Sequence, residues 1–148
     1  RWGLFPLVRC AESRAPGLPP VGRAKLPSQN IVDLAQTPGL GFPQSTLDSV
    51  EVRNGRARVS GFWSGLLGPM GPLPIHLTEF AVYEARYAKS RPFGRWLDVL
   101  AGRMLQLFYR AWADSQPVTG LDRPQEDRFA EKLAALTGAR EGARPDSA

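Results

Sequence analysis

The sequence predicts an α+β fold, with a small antiparallel β-hairpin or sheet packed against two or three α-helices in a loop-rich chain. Three observations predict this class. An Asn-Gly dipeptide separates two short segments that alternate apolar and polar residues. Two later segments carry apolar residues at helical spacing. The 15 Gly and 14 Pro exceed average usage and indicate many loops.

The first third of the chain gives weaker signals. Residues 2–13 carry aromatic and aliphatic side chains near helical spacing, and Pro6 fits a first helical turn, so a short helix is predicted there. Residues 15–27 contain four Pro and two Gly, which is typical of an irregular loop. Residues 30–34 can form a short strand.

The clearest local pattern covers residues 49–60. Residues 49–53 and 56–60 both alternate apolar and polar side chains, and Asn54-Gly55 stands between them. A tight hairpin turn needs positive φ at both central residues, which Asn and Gly tolerate, so the pattern predicts a β-hairpin. Alternate residues of a strand point to one face. The residues expected on the buried face are Val50, Val52, Ala57 and Val59.

A Gly- and Pro-rich loop over residues 61–74 leads into two predicted helices. Residues 75–89 carry apolar residues at helical spacing until the break at Pro92. Residues 93–113 give the stronger pattern, because one face carries a wide apolar stripe. The stripe consists of Phe93, Trp96, Leu97, Leu100, Met104, Leu107, Phe108 and Ala111.

The chain divides into two predicted regions. Residues 1–115 hold the hairpin, the loop and the two helices. Residues 116–148 are predicted to form a linker, a short helix over 124–137 and a flexible tail. Asp122 followed by Pro124 resembles a capped helix start, which sets the beginning of that last helix.

The sequence offers little for catalysis or for metal binding. A metal site needs several converging ligands, whereas the chain has one His (His76) and one Cys (Cys10). Ser64 lacks the glycine spacing of a hydrolase elbow, and the glycines of residues 65–71 lack the Lys-Ser/Thr of a phosphate loop. We therefore expect no enzyme activity, no cofactor and no metal.

Charge and hydropathy limit the partner classes. The net charge of +5 comes from scattered arginines, whereas nucleic-acid binding favours a clustered basic face with interleaved aromatic residues. No nucleic acid is therefore expected as a partner. A small basic nucleic-acid-binding module, or another protein-interaction module, is the alternative function. No window approaches 18 uninterrupted apolar residues, so direct membrane insertion is not expected.

Residues 62–79 resemble the Gly-Pro signature of the TssG (VasB/ImpH) family of type VI secretion baseplate subunits. The matching residues are Phe62, Gly65, Leu66, Gly68, Gly71, Pro72, Leu73, Pro74, His76, Thr78 and Glu79. Residues 93–112 are similar to a helix of that family that ends in Tyr-Arg-Ala-Trp. The resemblance covers roughly residues 5–112 and indicates an N-terminal portion of a TssG protein. Trp63-Ser64 makes one spacing longer than the family pattern.

The resemblance implies a structural role. TssG-like proteins assemble with TssF into a wedge of a hetero-oligomeric baseplate, the wedge docks on TssK, and the baseplate supports contractile injection of effectors. The family has no known catalytic role. The resemblance also implies a cytoplasmic location, at the inner face of the inner membrane in the assembled baseplate.

Two groups of residues are candidates for function. The candidate partner-binding residues are Trp96, Leu100, Arg103, Met104, Phe108, Arg110 and Trp112. Part of the apolar stripe can pack against TssF, or the whole stripe can be the domain's own core. Both arginines can meet partner carboxylates or lie on a solvated surface. The candidate structural loop can be a contact element or a structural corner, and the corner is favoured because Gly and Pro offer little side-chain recognition. It comprises Gly65, Leu66, Gly68, Gly71, Pro72, Leu73 and Pro74.

Overall fold

The computed structural model describes residues 3–53, 56–63 and 65–138. The chain splits into two compact units, Arg1–Arg110 and Ala111–Ala148. The helices are α1 (Leu4–Ser13), α2 (Ile75–Tyr87), α3 (Pro92–Ser115), α4 (Pro117–Asp122) and α5 (Arg128–Leu136). The strands are β1 (Val32–Gln36), β2 (Leu47–Arg53) and β3 (Arg56–Gly61). Short 3₁₀ turns cover Pro27–Gln29 and Pro124–Glu126. The α+β class is confirmed.

The three strands form one mixed sheet in the order β1-β3-β2. Strands β2 and β3 pair antiparallel as the predicted hairpin, although its Asn54-Gly55 turn lies outside the described residues. Strand β1 pairs parallel to β3, which the hairpin pattern alone does not predict. The central strand β3 therefore has a partner on each side, and β1 and β2 are the two edges.

The prediction that β2 buries its valines is wrong. Val50 lies opposite Val59 and Val52 lies opposite Ala57, so the four residues do share one face of the sheet. Val59 is fully buried in the central strand, whereas Val50 and Val52 are 53% and 72% exposed. Edge position alone is not the reason, because β1 is also an edge strand and buries Val32 and Leu34. Helix α3 lies against β1, and β2 is the edge on the far side of β3 from it.

Helix α3 closes the free edge of β1. The backbone N–H of Gln36 donates to Asp98 Oδ1 at 3.0 Å, and Gln106 Nε2 donates to the backbone oxygen of Val32 at 3.2 Å. These two contacts lie eight residues apart on the helix and four apart on the strand. Helix and strand rise about 1.5 Å and about 3.3 Å per residue, so the two spacings are nearly equal. The edge of β1 is thereby paired with side chains rather than left open.

Gly102 lies midway between the two contacts. A Cβ atom at this position would stand 2.6 Å from the backbone oxygen of Leu34, so only glycine allows the helix to approach the strand this closely. Two further contacts fix α3 to other helices. Tyr109 donates its hydroxyl to Glu12 Oε2 at 2.7 Å, and buried Glu84 accepts from the backbone N–H of Gly94 at 3.2 Å. A carboxylate at a helix N-terminus is also favoured by the helix dipole.

In the second unit, the last helix begins later than the sequence pattern suggested. Helix α5 starts at Arg128, and its N-cap is Asp127, whose Oδ1 accepts from the backbone N–H groups of Phe129 and Ala130 at 2.9 and 3.0 Å. Asp122 is instead the last residue of α4, and Pro124 begins a 3₁₀ turn. Both aspartates precede helix-forming residues, and the chain uses the second as the cap. Residues 139–148 of the predicted tail, which begins at Gly138, lie outside the described residues.

Candidate functional site

The two sides of α3 differ sharply in composition. The inward side is buried and consists of Leu97, Ala101, Gly102, Leu105, Gln106 and Tyr109. The opposite side, here called the outward face of α3, consists of Trp96, Val99, Leu100, Arg103, Met104, Leu107 and Phe108. Its six apolar side chains are between 40 and 78% exposed. The outward face spans about 18 Å of helix at 1.5 Å per residue.

The structure places most of the predicted stripe on this outward face. Trp96, Leu100, Met104 and Phe108 are exposed, and Leu97 is buried on the other side. The interpretation in which the whole stripe is this domain's own core therefore does not hold. The inward side is closed by smaller and more polar residues than the stripe contains.

The charged and C-terminal candidate residues separate from one another. Arg103 is exposed in the middle of the outward face, where its Nη1 donates to Gln106 Oε1 at 3.4 Å. Arg110 is half-buried at the border of the inward side, where a Cβ atom on Gly22 would stand 3.1 Å from its Cβ. Trp112 is half-buried and belongs to the second unit. Arg103 is thus the candidate arginine that shares the outward face.

Two members of the outward face were absent from the predicted partner-binding residues. Val99 lies three residues after Trp96 and four before Arg103, so helical spacing alone could have added it. Leu107 belonged to the predicted stripe but was not selected as a contact. Both are exposed, and Val99 is the most exposed apolar residue of the surface.

Aromatic pairs extend the outward face at both ends. At the start of α3, Phe93 packs edge-to-face on exposed Phe80 of α2, with ring centroids 5.5 Å apart. At the other end, Phe108 lies 5.6 Å from Phe5 of α1. These contacts hold the aromatic rings in place without covering them, because Phe80 and Phe108 remain about half exposed.

A family profile described as type VI secretion, TssG matches residues 1–148. This chain belongs to the type VI secretion TssG family. No match was found among curated proteins or among solved structures. The TssG family assignment gives the chain a role in type VI secretion.

The loop that carries the TssG signature is tied to the sheet by one glutamine. Gln36 Nε2 donates to the backbone oxygen of Leu67 at 2.6 Å, and the Leu67 N–H donates back to Gln36 Oε1 at 3.0 Å. A Cβ atom on Gly65 would collide with the Gln36 amide. Because Gly65 has no side chain, the Gln36 amide fits beside it. That amide bonds to both the N–H and the oxygen of Leu67, as the backbone of a neighbouring strand would.

The rest of the signature loop folds back on itself. Gly68 has a φ of +109° and its N–H donates to Thr78 Oγ1 at 3.1 Å. A Cβ atom on Gly71 would stand 2.7 Å from the backbone oxygen of Leu66. Leu66 and Leu73 pack against a small core formed by Leu67, Ala81 and Leu97. These contacts favour a structural corner, and they join the signature loop to the inward side of α3.

The carboxyl group of Asp98, on the side of α3 that faces the sheet, has a shifted pKa. Burial raises the pKa of the Asp98 carboxyl above its ordinary value, and the Gln36 N–H and Arg58 oppose that shift. Arg58 forms a salt bridge with Asp98 Oδ2. Both carboxylate oxygens of Asp98 are thus engaged in holding α3 on the sheet, which is a structural use of the group.

No group of three or more His, Cys, Asp or Glu in the described residues could hold a metal ion. No helix within residues 3–53, 56–63 and 65–138 is long and apolar enough to cross a membrane.

Proposed function

We propose that this chain is a non-catalytic structural subunit of the type VI secretion baseplate wedge, which assembles with TssF and docks on TssK. The family assignment supports a type VI secretion role, and the resemblance of the signature loop and of α3 supports the wedge. In this role the chain works in the cytoplasm, at the inner face of the inner membrane. The observation that carries the proposal is the outward face of α3.

The outward face is energetically suited to a partner. Burying one large apolar side chain is worth about 1.5–3 kcal/mol, so several exposed on one helix strongly favour association. Contiguous exposed apolar patches of this kind commonly mark interaction surfaces. Burial of the outward face by TssF would remove these side chains from water.

The helix cannot relieve this exposure by rotating. Asp98, Gly102 and Gln106 hold its inward side against the backbone of β1, and Tyr109 holds it to Glu12. A rotation that buried the outward face would leave these polar groups without partners, at a cost of about 1–3 kcal/mol for each buried group. We therefore assign the outward face to TssF rather than to an alternative packing of this chain.

The test is co-purification of the chain with TssF from the same bacterium, using two methionine variants. Met104 lies on the outward face and Met70 lies in the signature loop, and both side chains are exposed. Met104→Ser should abolish or strongly weaken the TssF complex while leaving the melting temperature unchanged. Met70→Ser makes the same chemical change and should leave the complex intact. TssK added to the complex should then join it in one peak by light scattering.

Two outcomes would contradict this proposal. If the folded wild-type chain forms no complex with TssF, the outward face is not a TssF-binding site. Equal binding of the wild-type chain and of both methionine variants would move the TssF contact to another surface.

A further inference from the structure

The sequence that leads into and along α3 carries an excess of positive charge. Residues 86–103 contain five basic residues and a single acidic one, Asp98, which is engaged by Arg58 and Gln36. The basic residues are Arg86, Lys89, Arg91, Arg95 and Arg103, and all five are exposed. None of them forms a salt bridge within the described part of the chain.

Arg103 has a special position in this set. It lies inside the outward face, with Trp96 and Val99 before it and Leu107 after it on neighbouring turns. Any partner that covers these apolar side chains also removes the Arg103 guanidinium from water. Burying a charge without a partner is costly, so the covering surface must supply an acceptor. A carboxylate is the acceptor whose geometry and charge match a guanidinium best, because it can form two parallel hydrogen bonds.

We propose that the outward face of α3 binds an acidic amphipathic helix, whose apolar stripe covers Trp96, Leu100 and Met104 and whose carboxylates meet Arg103 and the basic residues at the α2–α3 junction. This inference rests on the proposed function and specifies the chemistry of the TssF element at that site. A helix is the expected shape, because the outward face is a straight ridge with side chains at i, i+4 and i+8 that fits the grooves of a second helix.

An anionic membrane surface is a different ligand for a basic, apolar helix. Helices that lie in a membrane interface keep their basic residues on the polar face, outside the buried apolar stripe. Here Arg103 interrupts the apolar face, so insertion would carry its charge toward the acyl chains. The position of Arg103 therefore favours an acidic protein helix over a lipid surface.

The test compares charge variants in a binding titration with TssF at low and at physiological salt. Arg103→Glu should weaken binding on the order of 30-fold or more, because it places like charges at a desolvated contact. Arg103→Gln should weaken it less and should reduce its salt dependence. Arg128→Glu makes the same charge change on exposed α5 and should bind like the wild type. A carboxylate-to-lysine change in TssF that restores binding to Arg103→Glu would locate the acidic helix.

Other outcomes separate this inference from the proposed function. If Met104→Ser loses TssF but Arg103→Glu binds normally, the surface is a TssF site without an acidic partner, and this inference is overturned. If neither Met104→Ser nor the Arg103 substitutions alter TssF binding, the outward face is not the TssF site, and the proposed function is contradicted as well. If phosphatidylglycerol vesicles bind the wild type but not Arg103→Glu, and TssF binding is unchanged in that variant, the face is a lipid surface and the acidic-helix inference fails.

Discussion

The inward and outward sides of α3 differ in composition and in exposure to water. The inward side combines two leucines and a tyrosine with Ala101, Gly102 and Gln106, and it is positioned by hydrogen bonds and by the close approach of Gly102 to β1. The outward face carries the large apolar side chains and lies in water. A hydrophobic stripe on a helix is usually the side that faces the core. In α3 the side that packs into the core is instead the one that complements the open edge of β1, and most of the stripe is exposed.

The largest effect on this arrangement should come from Gly102. Gly102→Ala places a methyl group against the Leu34 backbone oxygen and should destabilise the fold by about 1–3 kcal/mol through overpacking. The matched control is Gly94→Ala in the same helix, whose new Cβ would meet nothing closer than 3.9 Å. That change should be neutral or stabilise by up to about 1 kcal/mol through helix propensity. Urea denaturation measures the free energy of unfolding of both variants. Equal stabilities of Gly102→Ala and Gly94→Ala would contradict the close approach of α3 to the Leu34 backbone.

A smaller loss is expected at Tyr109. Tyr109→Phe removes the hydroxyl that donates to Glu12 in the buried contact between α3 and α1. The free energy of unfolding should fall by about 1–2 kcal/mol. Tyr87→Phe is the control, because Tyr87 is largely exposed, and it should change stability by less than about 0.5 kcal/mol. A Tyr109→Phe variant as stable as the wild type would show that this bond does not hold the inward side.

The smallest effect should appear at Asp98, as a change in pH dependence. Its raised pKa means that the folded state binds the proton more tightly than the unfolded state. The stability from this group is therefore full below the ordinary pKa of about 4 and is lost as the pH rises through the raised value. Asp98→Asn removes this contribution and keeps an oxygen that can accept from Gln36.

Denaturation curves across the acid range test that sign. The stability of Asp98→Asn relative to the wild type should improve as the pH rises from about 3 to about 6. The lost Arg58 contact should cost less than about 1 kcal/mol, because the Arg58 side chain is 41% exposed. A difference that runs the opposite way with pH would mean that the salt bridge outweighs burial.

The sequence predicts the local elements of this fold better than it predicts their burial. The Asn-Gly hairpin and the apolar spacing of α3 are local patterns, so they locate strands and helix directly. Which face turns inward depends on contacts between residues far apart in sequence, such as Gln106 with Val32. Those contacts leave no periodic signal in one sequence. The exposure of Val50 has the same origin, because contacts between residues far apart in sequence place α3 against β1 and not against β2.

The outward face of α3 could be predicted only in part, because the sequence pattern shows helical spacing but not burial. Helical spacing gathered Trp96, Leu100, Met104 and Phe108 into one stripe but did not decide between core and partner surface. Gln36 and Glu84 were not identified, although the side chain of each makes two hydrogen bonds that shape the region around α3. The available signal for Glu84 was a carboxylate at a position of the apolar face of α2, seven residues after Leu77.

Oxidative footprinting of the two methionines tests the central claim most directly. Met104 and Met70 are 64% and 86% exposed, so hydroxyl radicals should oxidise both in the isolated chain. In the complex with TssF, mass spectrometry should find Met104 protected and Met70 still reactive. A stable complex in which Met104 is oxidised as fast as in the isolated chain would contradict the assignment of the outward face of α3 to the partner.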